Sequence, residues 1–126
     1  MICTTINSNT LISYKNIVID NNGKFIEIND IQDKPNVVFN NISLPYTFIM
    51  YDPDLNVIHW LIVNGNTVIN YNINSKQLPK NETHRYIFRL YSGIPANLNI
   101  DNITVDKIFK NLKLIDQKYI TTRVMG

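Results

Sequence analysis

The sequence contains few of the residues that carry the most recognisable folding and catalytic signals. Cys3 is the only cysteine among 126 residues, which excludes a disulfide framework, and a chain of this length buries enough surface to fold without one. Four glycines are too few for a glycine-rich phosphate loop, and no Gly-x-Ser-x-Gly nucleophile motif is present. No window approaches the run of roughly 18 apolar residues that a membrane-spanning helix needs. The sequence therefore predicts a single domain, residues 1–126, in the reducing cytoplasm and without a membrane span.

Positive charge is also scarce. The chain carries 12 lysines and arginines against 10 acidic residues, a formal net charge of +2. Only three of the basic residues are arginines: Arg85, Arg89 and Arg123. Because proteins that bind nucleic acids normally present a clustered basic stripe, we expect no nucleic-acid partner.

Short apolar runs alternate with clusters of Asn, Asp and Gly, which is typical of β-strands and turns. The run Ile17–Ile19, the Asn22-Gly23 pair and the run Phe25–Ile28 predict a β-hairpin, since Asn-Gly tolerates the positive φ of a tight turn. The run Tyr46–Tyr51 is too apolar for an edge strand and predicts a central one. Further strands are predicted at residues 37–39, 59–63, 67–71, 84–91 and 114–120.

Two longer segments show clear periodicity. From His84 to Tyr91, period-two alternation places His84, Tyr86, Phe88 and Leu90 on one face of a strand. The segment from Thr104 to Lys113 alone has helical spacing, and Thr104 is a suitable N-cap. The sequence therefore predicts a mostly β fold with one short C-terminal helix, and no internal repeat.

The two histidines stand at the starts of predicted strands, each next to an unusual segment. His59 follows the turn Asp52-Pro53-Asp54, and His84 follows a polar loop around Pro79. Because antiparallel order brings alternate strand ends together, we expect Asp52, His59, His84 and Tyr86 to meet at one edge of the sheet. A carboxylate near an imidazole raises its pKa and fixes its tautomer, so this cluster could offer N–H and O–H donors to a phosphate-like anion. The hypothesis requires the two imidazoles to be close together and open to solvent.

Other interpretations of the same residues stay open. A His-Trp pair at the start of a strand is more often packed in the core than part of a site, and Asp-Pro-Asp is usually only a turn. Two histidines and Asp52 could supply three zinc ligands, but they lack compact metal-ligand spacing, so we expect no metal. A small hydrolase that uses Asp52 and His59 as base and orienter is a further alternative. No catalytic residue and no cofactor is indicated.

Three motifs occur in a fixed order: the run Tyr46–Asp54 with its Asp-Pro-Asp turn, the strand His59-Trp60-Leu61-Ile62-Val63-Asn64, and the segment from Pro79 to His84-Arg85-Tyr86. This order resembles the phosphatidylethanolamine-binding protein (PEBP) family, which includes Raf kinase inhibitor proteins, in a compact bacterial- or virus-like form. The resemblance implies a large antiparallel sheet, a smaller second sheet and a short C-terminal helix. It also implies a pocket for phosphate or phospholipid head groups.

Transferred position by position, the resemblance implies roles for eight residues and a regulatory function. It implies a non-enzymatic regulator, with a protein kinase or a serine protease as partner; a protein-interaction module with a vestigial pocket stays the alternative. The sequence departs from the family where Leu55-Asn56 follows Asp-Pro-Asp, and where residues 75–83 lack the usual glycines, which leaves a shallower pocket or a different ligand open. The implied ligand-binding residues are Asp52, His59, Pro79, His84 and Tyr86, supported by Asp54, Trp60 and Arg85.

Overall fold

The described residues fold into nine β-strands and one short 3₁₀ helix. A computed structural model describes residues 9–73, 81–96, 105 and 109–123. Within these ranges the elements are β1 (Thr10–Tyr14), β2 (Ile17–Val18), β3 (Lys24–Phe25), η1 (Ile28–Ile31), β4 (Asn36–Phe39), β5 (Tyr46–Asp52), β6 (Val57–Val63), β7 (Asn66–Ile69), β8 (Thr83–Ser92) and β9 (Lys113–Arg123).

The strands form two sheets of unequal size. The small sheet has the order β2-β1-β4, and the large sheet has the order β3-β9-β8-β5-β6-β7. Every ladder is antiparallel except the short β3–β9 pair, which is parallel. The prediction of a mostly β fold with a large and a small sheet is therefore confirmed.

The central position of β5 follows from its sequence. Six of its seven residues are buried, because aromatic and β-branched side chains cover both faces of the strand. It pairs with β6 on one side and β8 on the other, so the central strand predicted from Tyr46–Tyr51 is confirmed.

Two hydrophobic clusters cover the two faces of the large sheet. The first also includes residues of the small sheet, such as Ile12 and Tyr14, so it forms the core between the sheets. Strand β8 contributes Tyr86, Phe88 and Leu90 to this first cluster, and its intervening residues Ile87 and Tyr91 to the second. The alternation predicted from His84 to Tyr91 is thus confirmed, and it directs Tyr86 toward the core.

The hairpin predicted around Asn22-Gly23 is wrong. Strand β2 pairs with β1, whereas β3 runs parallel to β9 in the other sheet, and Ile28 belongs to η1. Gly23 has a φ of 77°, but its turn carries the chain from one sheet to the other. Ile19 and Ile26 on either side of this turn are buried in the core between the sheets. Their burial outweighs the local preference for a hairpin.

Four residues of the predicted C-terminal helix, 104 and 106–108, lie outside the described residues. The Phe109 N–H donates to the Val105 carbonyl at 3.1 Å, and residues 109–112 form a turn. Lys113, the last residue of the predicted helix, instead begins β9 and pairs with Ser92. Among the described residues, no helix has the length and hydropathy needed to span a membrane.

Gly23 provides a test of the connection between the sheets. An ideal Cβ on Gly23 would lie 2.5 Å from the Tyr119 ring, whereas one on Gly65, with a φ of 82°, would meet nothing closer than 3.7 Å. We expect Gly65→Ala to lower the free energy of unfolding by about 1 kcal/mol through backbone strain alone. Gly23→Ala adds a steric clash and should cost about 2–3 kcal/mol. Urea denaturation measures both; equal losses would contradict the close approach of Tyr119.

Candidate functional site

Asp52 is the last residue of β5, and its side chain forms the turn that follows. Its Oδ1 accepts hydrogen bonds from the backbone N–H groups of Asp54 and Leu55, at 2.8 and 3.1 Å. This bonding is the expected behaviour of Asp before a tight turn. Asn56, with a φ of 53°, ends the turn and leads the chain into β6. The Asp-Pro-Asp motif therefore fixes the Asp52 carboxylate in one orientation.

The second oxygen of that carboxylate contacts His84. Asp52 Oδ2 lies 3.0 Å from His84 Nδ1, and both side chains are buried, with exposed fractions of 0% and 3%. A carboxylate oxygen accepts, so His84 Nδ1 carries the proton and donates it. The ring therefore directs its other nitrogen, Nε2, away from Asp52.

His59 is placed by an irregularity in β6. Trp60 pairs with Met50 and Ile58 pairs with Tyr51, so His59 is the extra residue of a β-bulge. A bulge changes the alternation of side chains, and His59 as well as Trp60 is buried. The His59 ring packs edge-on against Tyr86, with ring centroids 5.0 Å apart. The bulge thus brings His59 to the side of the sheet that holds Tyr86.

Asn72 holds His59 through two backbone contacts. The His59 carbonyl accepts from the Asn72 N–H at 3.0 Å, and the Asn72 carbonyl accepts from His59 Nδ1–H at 2.8 Å. A carbonyl only accepts, so the tautomer of His59 is fixed with its proton on Nδ1. The Nε2 atom of His59, like that of His84, has no hydrogen-bond partner among the described residues.

Three buried polar atoms at this place have no hydrogen-bond partner within the described part of the chain. They are His59 Nε2, His84 Nε2 and the hydroxyl oxygen of Tyr86. They come from β6 and β8, and Asp52 on β5 influences the electrostatics of both His59 and Tyr86. Buried polar atoms are nearly always paired, so a group of three is unusual.

Burial determines the protonation of two of these groups. Burial lowers the pKa of His59 below its usual 6.5, although the bond to Asn72 and the charge of Asp52 act in the opposite direction. Burial and the nearby Asp52 raise the pKa of the Tyr86 hydroxyl above its usual range. At neutral pH, His59 is therefore a neutral imidazole and Tyr86 a neutral phenol.

The solvent access expected from the sequence is not found. The side chains of His59, His84 and Tyr86 are 5%, 3% and 0% exposed. Two cavities formed by described residues lie elsewhere: one of about 140 Å³ beside Tyr14, and one of about 440 Å³ over the small sheet near Val38. The open site that the sequence hypothesis required is therefore not seen among the described residues, and a ligand must displace neighbouring groups to reach these imidazoles.

The predicted supporting residues differ in their positions. Asp54 forms an exposed ion pair with Arg85, with 3.6 Å between Oδ1 and Nη2. Trp60 packs edge-on against Phe48 and Tyr71, with centroid distances of 5.2 and 5.5 Å. Pro79 lies outside the described residues. The predicted roles remain predictions: ligand binding for Asp52, His59, Pro79, His84 and Tyr86, and support of the pocket for Asp54, Trp60 and Arg85.

Two alternative chemistries can be compared with this geometry. The one described group of three potential metal ligands is Asp52, Asp54 and His84, with ligand atoms within 4.8 Å of one another. It omits His59, and a metal would have to replace hydrogen bonds that Asp52 and His84 already make. The hydrolase hypothesis paired Asp52 with His59, but the structure bonds Asp52 to His84 and His59 to Asn72.

Sequence reasoning missed two residues beside these histidines. Asn72 acts through its backbone, and no side-chain pattern indicates such a contact. Glu82 places Oε2 3.7 Å from His84 Nε2, with a side chain that is 62% exposed. Its position two residues before His84 could have drawn attention to it, because it precedes the strand that carries His84.

The pKa of His59 can be tested through folding stability. Because the unfolded chain has the higher His59 pKa, acidification below pH 6.5 should favour unfolding. We expect His59→Asn, which keeps an N–H for Asn72 but cannot titrate, to remove this loss. The difference between the two unfolding free energies should change by up to about 1.4 kcal/mol per pH unit. Urea denaturation across this pH range measures it, and parallel curves would refute the shift.

Comparison with solved structures identifies the fold. No family model and no curated protein matches the chain in sequence. Its structure is similar to that of carboxypeptidase Y inhibitor in complex with the cognate proteinase, with a TM-score of 0.70, 19% identity, and coverage of 91% of this chain and 82% of that one. It is also similar to a phosphatidylethanolamine-binding protein from Plasmodium falciparum, with a TM-score of 0.58, 18% identity, and coverage of 96% and 88%. The chain therefore has the fold of the phosphatidylethanolamine-binding proteins.

Proposed function

We propose that this chain is a non-enzymatic binding protein that holds an oxyanion of the phosphate or phosphate-ester class. The ligand contacts are His59 Nε2, His84 Nε2 and the Tyr86 hydroxyl. One observation carries the proposal: these three buried polar atoms lack a partner among the described residues. Asp52 orients His84, and Asn72 orients His59.

Burial of a polar group without a hydrogen-bond partner lowers the stability of the folded protein. Each buried polar group without a partner costs about 1–3 kcal/mol. Three such groups on β6 and β8 would be a large fraction of the stability of an ordinary domain. A ligand that forms hydrogen bonds with all three recovers this cost, which supports a binding role over a purely structural one.

The tautomers indicate which ligands fit. Both Nδ1 atoms donate inside the protein, to Asn72 and to Asp52, so a ring without a second proton offers only a lone pair at Nε2. An anion can bind there if it brings a proton or if an imidazole takes one up. Phosphate groups suit this requirement, because their second pKa is about 6 and they exchange a proton with imidazole near neutrality.

Affinity for a small anion should be low. A single phosphate offers few contacts, and the groups that cover the two imidazoles must move before it binds. We therefore expect dissociation constants from about millimolar to high micromolar for inorganic phosphate. A phospholipid head group, implied by the sequence resemblance, belongs to the same ligand class.

Tyr86→Phe separates binding from packing, with Tyr71→Phe as the matched control. The Tyr71 hydroxyl donates to the Ile31 carbonyl at 2.6 Å and contacts the Tyr14 hydroxyl, so its removal should cost about 1–2 kcal/mol of stability. Tyr86→Phe removes an unpaired hydroxyl and should stabilise the free protein by about 1 kcal/mol. It should also weaken phosphate binding about tenfold or more.

The measurements are urea denaturation and NMR titration of the imidazole resonances with inorganic phosphate. The chain has only two histidines, so their signals can be followed individually. Tyr71→Phe should bind phosphate like the wild type. Imidazole resonances that stay unmoved at saturating phosphate would refute the site, as would unchanged affinity in Tyr86→Phe.

A second candidate is inhibition of a serine protease, with the pocket vestigial. The observation that favours it is the similarity to a carboxypeptidase inhibitor in complex with its proteinase. A partner of this kind is held by an extended surface, so the buried histidines would contribute little. Regulation of a protein kinase, also implied by the sequence resemblance, is a proposal of the same class.

Protease inhibition has a direct assay. We expect the purified chain, at micromolar concentration, to reduce peptide cleavage by a serine carboxypeptidase, and Tyr86→Phe to inhibit equally well. Cleavage that stays unaffected at every concentration of the chain would reject this candidate. Inhibition that disappears in Tyr86→Phe would assign the effect to the oxyanion site instead.

A further inference from the structure

We infer that Glu82 limits the charge of the ligand: it admits singly charged oxyanions to the site and disfavours doubly charged ones. This inference rests on the proposed function, since it concerns the same site. It assigns a specificity role to a residue that neither the sequence motifs nor the comparisons point to.

Glu82 lies beside the Nε2 atom of His84. Its Oε2 is 3.7 Å from His84 Nε2, the atom through which His84 would contact a ligand. This separation is longer than a hydrogen bond, so the carboxylate lies near Nε2 without satisfying it. A ligand oxygen that bonds to Nε2 would therefore lie close to the Glu82 carboxylate.

Several carboxylates surround the two imidazoles. The groups that face them are Asp52 from β5, Asp54 from the turn that follows β5, Tyr86 from β8 and Glu82 from the segment before β8, together with Asn72 at the His59 ring. Tyr86 is neutral, so the three carboxylates supply the negative charge. Asp54 is paired with Arg85, whereas Asp52 and Glu82 have no ion pair with a lysine or arginine of the described residues.

Arg85 offsets the charge of Asp54, but it is not paired with Asp52 or Glu82. Arg85 lies on the opposite face of β8 from His84, where it pairs with Asp54. The described surroundings of the imidazoles are thus negative unless the imidazoles are protonated. Each further negative charge on a ligand meets repulsion from Glu82.

The size of the effect follows from Coulomb's law. Two unit charges about 4 Å apart repel enough in water to change a binding constant about fivefold, and more where water is excluded. Because Glu82 is 62% exposed, salt screens this repulsion. The discrimination should therefore be largest at low ionic strength.

Methyl phosphate and dimethyl phosphate form a suitable pair of probes. At about pH 7 the monoester carries nearly two negative charges, whereas the diester carries one; neither brings a proton in these forms, so an imidazole takes one up from water when either ester binds. NMR titration of the two imidazoles should give a preference for dimethyl phosphate of about fivefold or more at low salt. Glu82→Gln should reduce this preference by improving methyl phosphate binding, and added salt should reduce it in the wild type.

Glu27→Gln is the matched control. Glu27 is the other glutamate of the chain, it is exposed, and it directly precedes η1. This variant should keep the wild-type preference. A parallel titration with glycerophosphoethanolamine distinguishes the source of the phosphodiester: tighter binding than dimethyl phosphate indicates a lipid head group, and equal binding indicates the diester alone. Both results are compatible with charge selection by Glu82.

The results also separate the two proposals. Equal affinity of the wild type for both methyl esters, or an unchanged preference in Glu82→Gln, would overturn the role of Glu82 and leave the oxyanion site intact. If no phosphate ester shifts either imidazole in any variant, the oxyanion site itself is refuted.

Discussion

The structure of the candidate site depends on the complete bonding of one buried carboxylate. Asp52 ends the central strand of the large sheet, where a charge without partners would be strongly destabilising. Its two oxygens are occupied by two turn amides and by His84. This bonding fixes the turn into β6, and the same carboxylate fixes the tautomer of an imidazole on the neighbouring strand β8. The Asp52 carboxylate therefore determines both the geometry of the turn and the tautomer of His84.

The β-bulge completes this arrangement from the other side of β5. Without an extra residue in β6, strict alternation would place His59 on the face opposite Trp60, away from Tyr86. The bulge and the two backbone contacts of Asn72 bring the ring to Tyr86 with Nε2 free. Both histidines thus reach the same state by different means: each is held at Nδ1, and at Nε2 each lacks a hydrogen-bond partner within the described ranges.

Strands and sheets that depend on residue composition and alternation could be predicted from the sequence. Turns and registers that depend on competing long-range contacts could not. The central strand, the alternation of β8 and the two-sheet architecture followed from apolar patterning and from the resemblance. The hairpin at Gly23 was wrong because burial of Ile19 and Ile26 is a tertiary effect that a local turn signal does not contain. The bulge at His59 escaped prediction for a related reason, since the register of β6 is set by its partner strands.

The burial of the imidazoles connects stability with selectivity. A site that is closed in the free protein excludes water, so a charge near it acts through a lower effective dielectric constant and discriminates more strongly. The same closure means that a ligand must recover the cost of moving the covering groups, which lowers affinity. Glu82 lies where the site meets solvent: its side chain is exposed, and its Oε2 is 3.7 Å from the buried His84 Nε2. If the site binds oxyanions, Glu82 at its solvent-exposed edge therefore determines its selectivity for ligand charge. Asp52 and Asn72, inside the protein, determine the orientation of the two imidazoles.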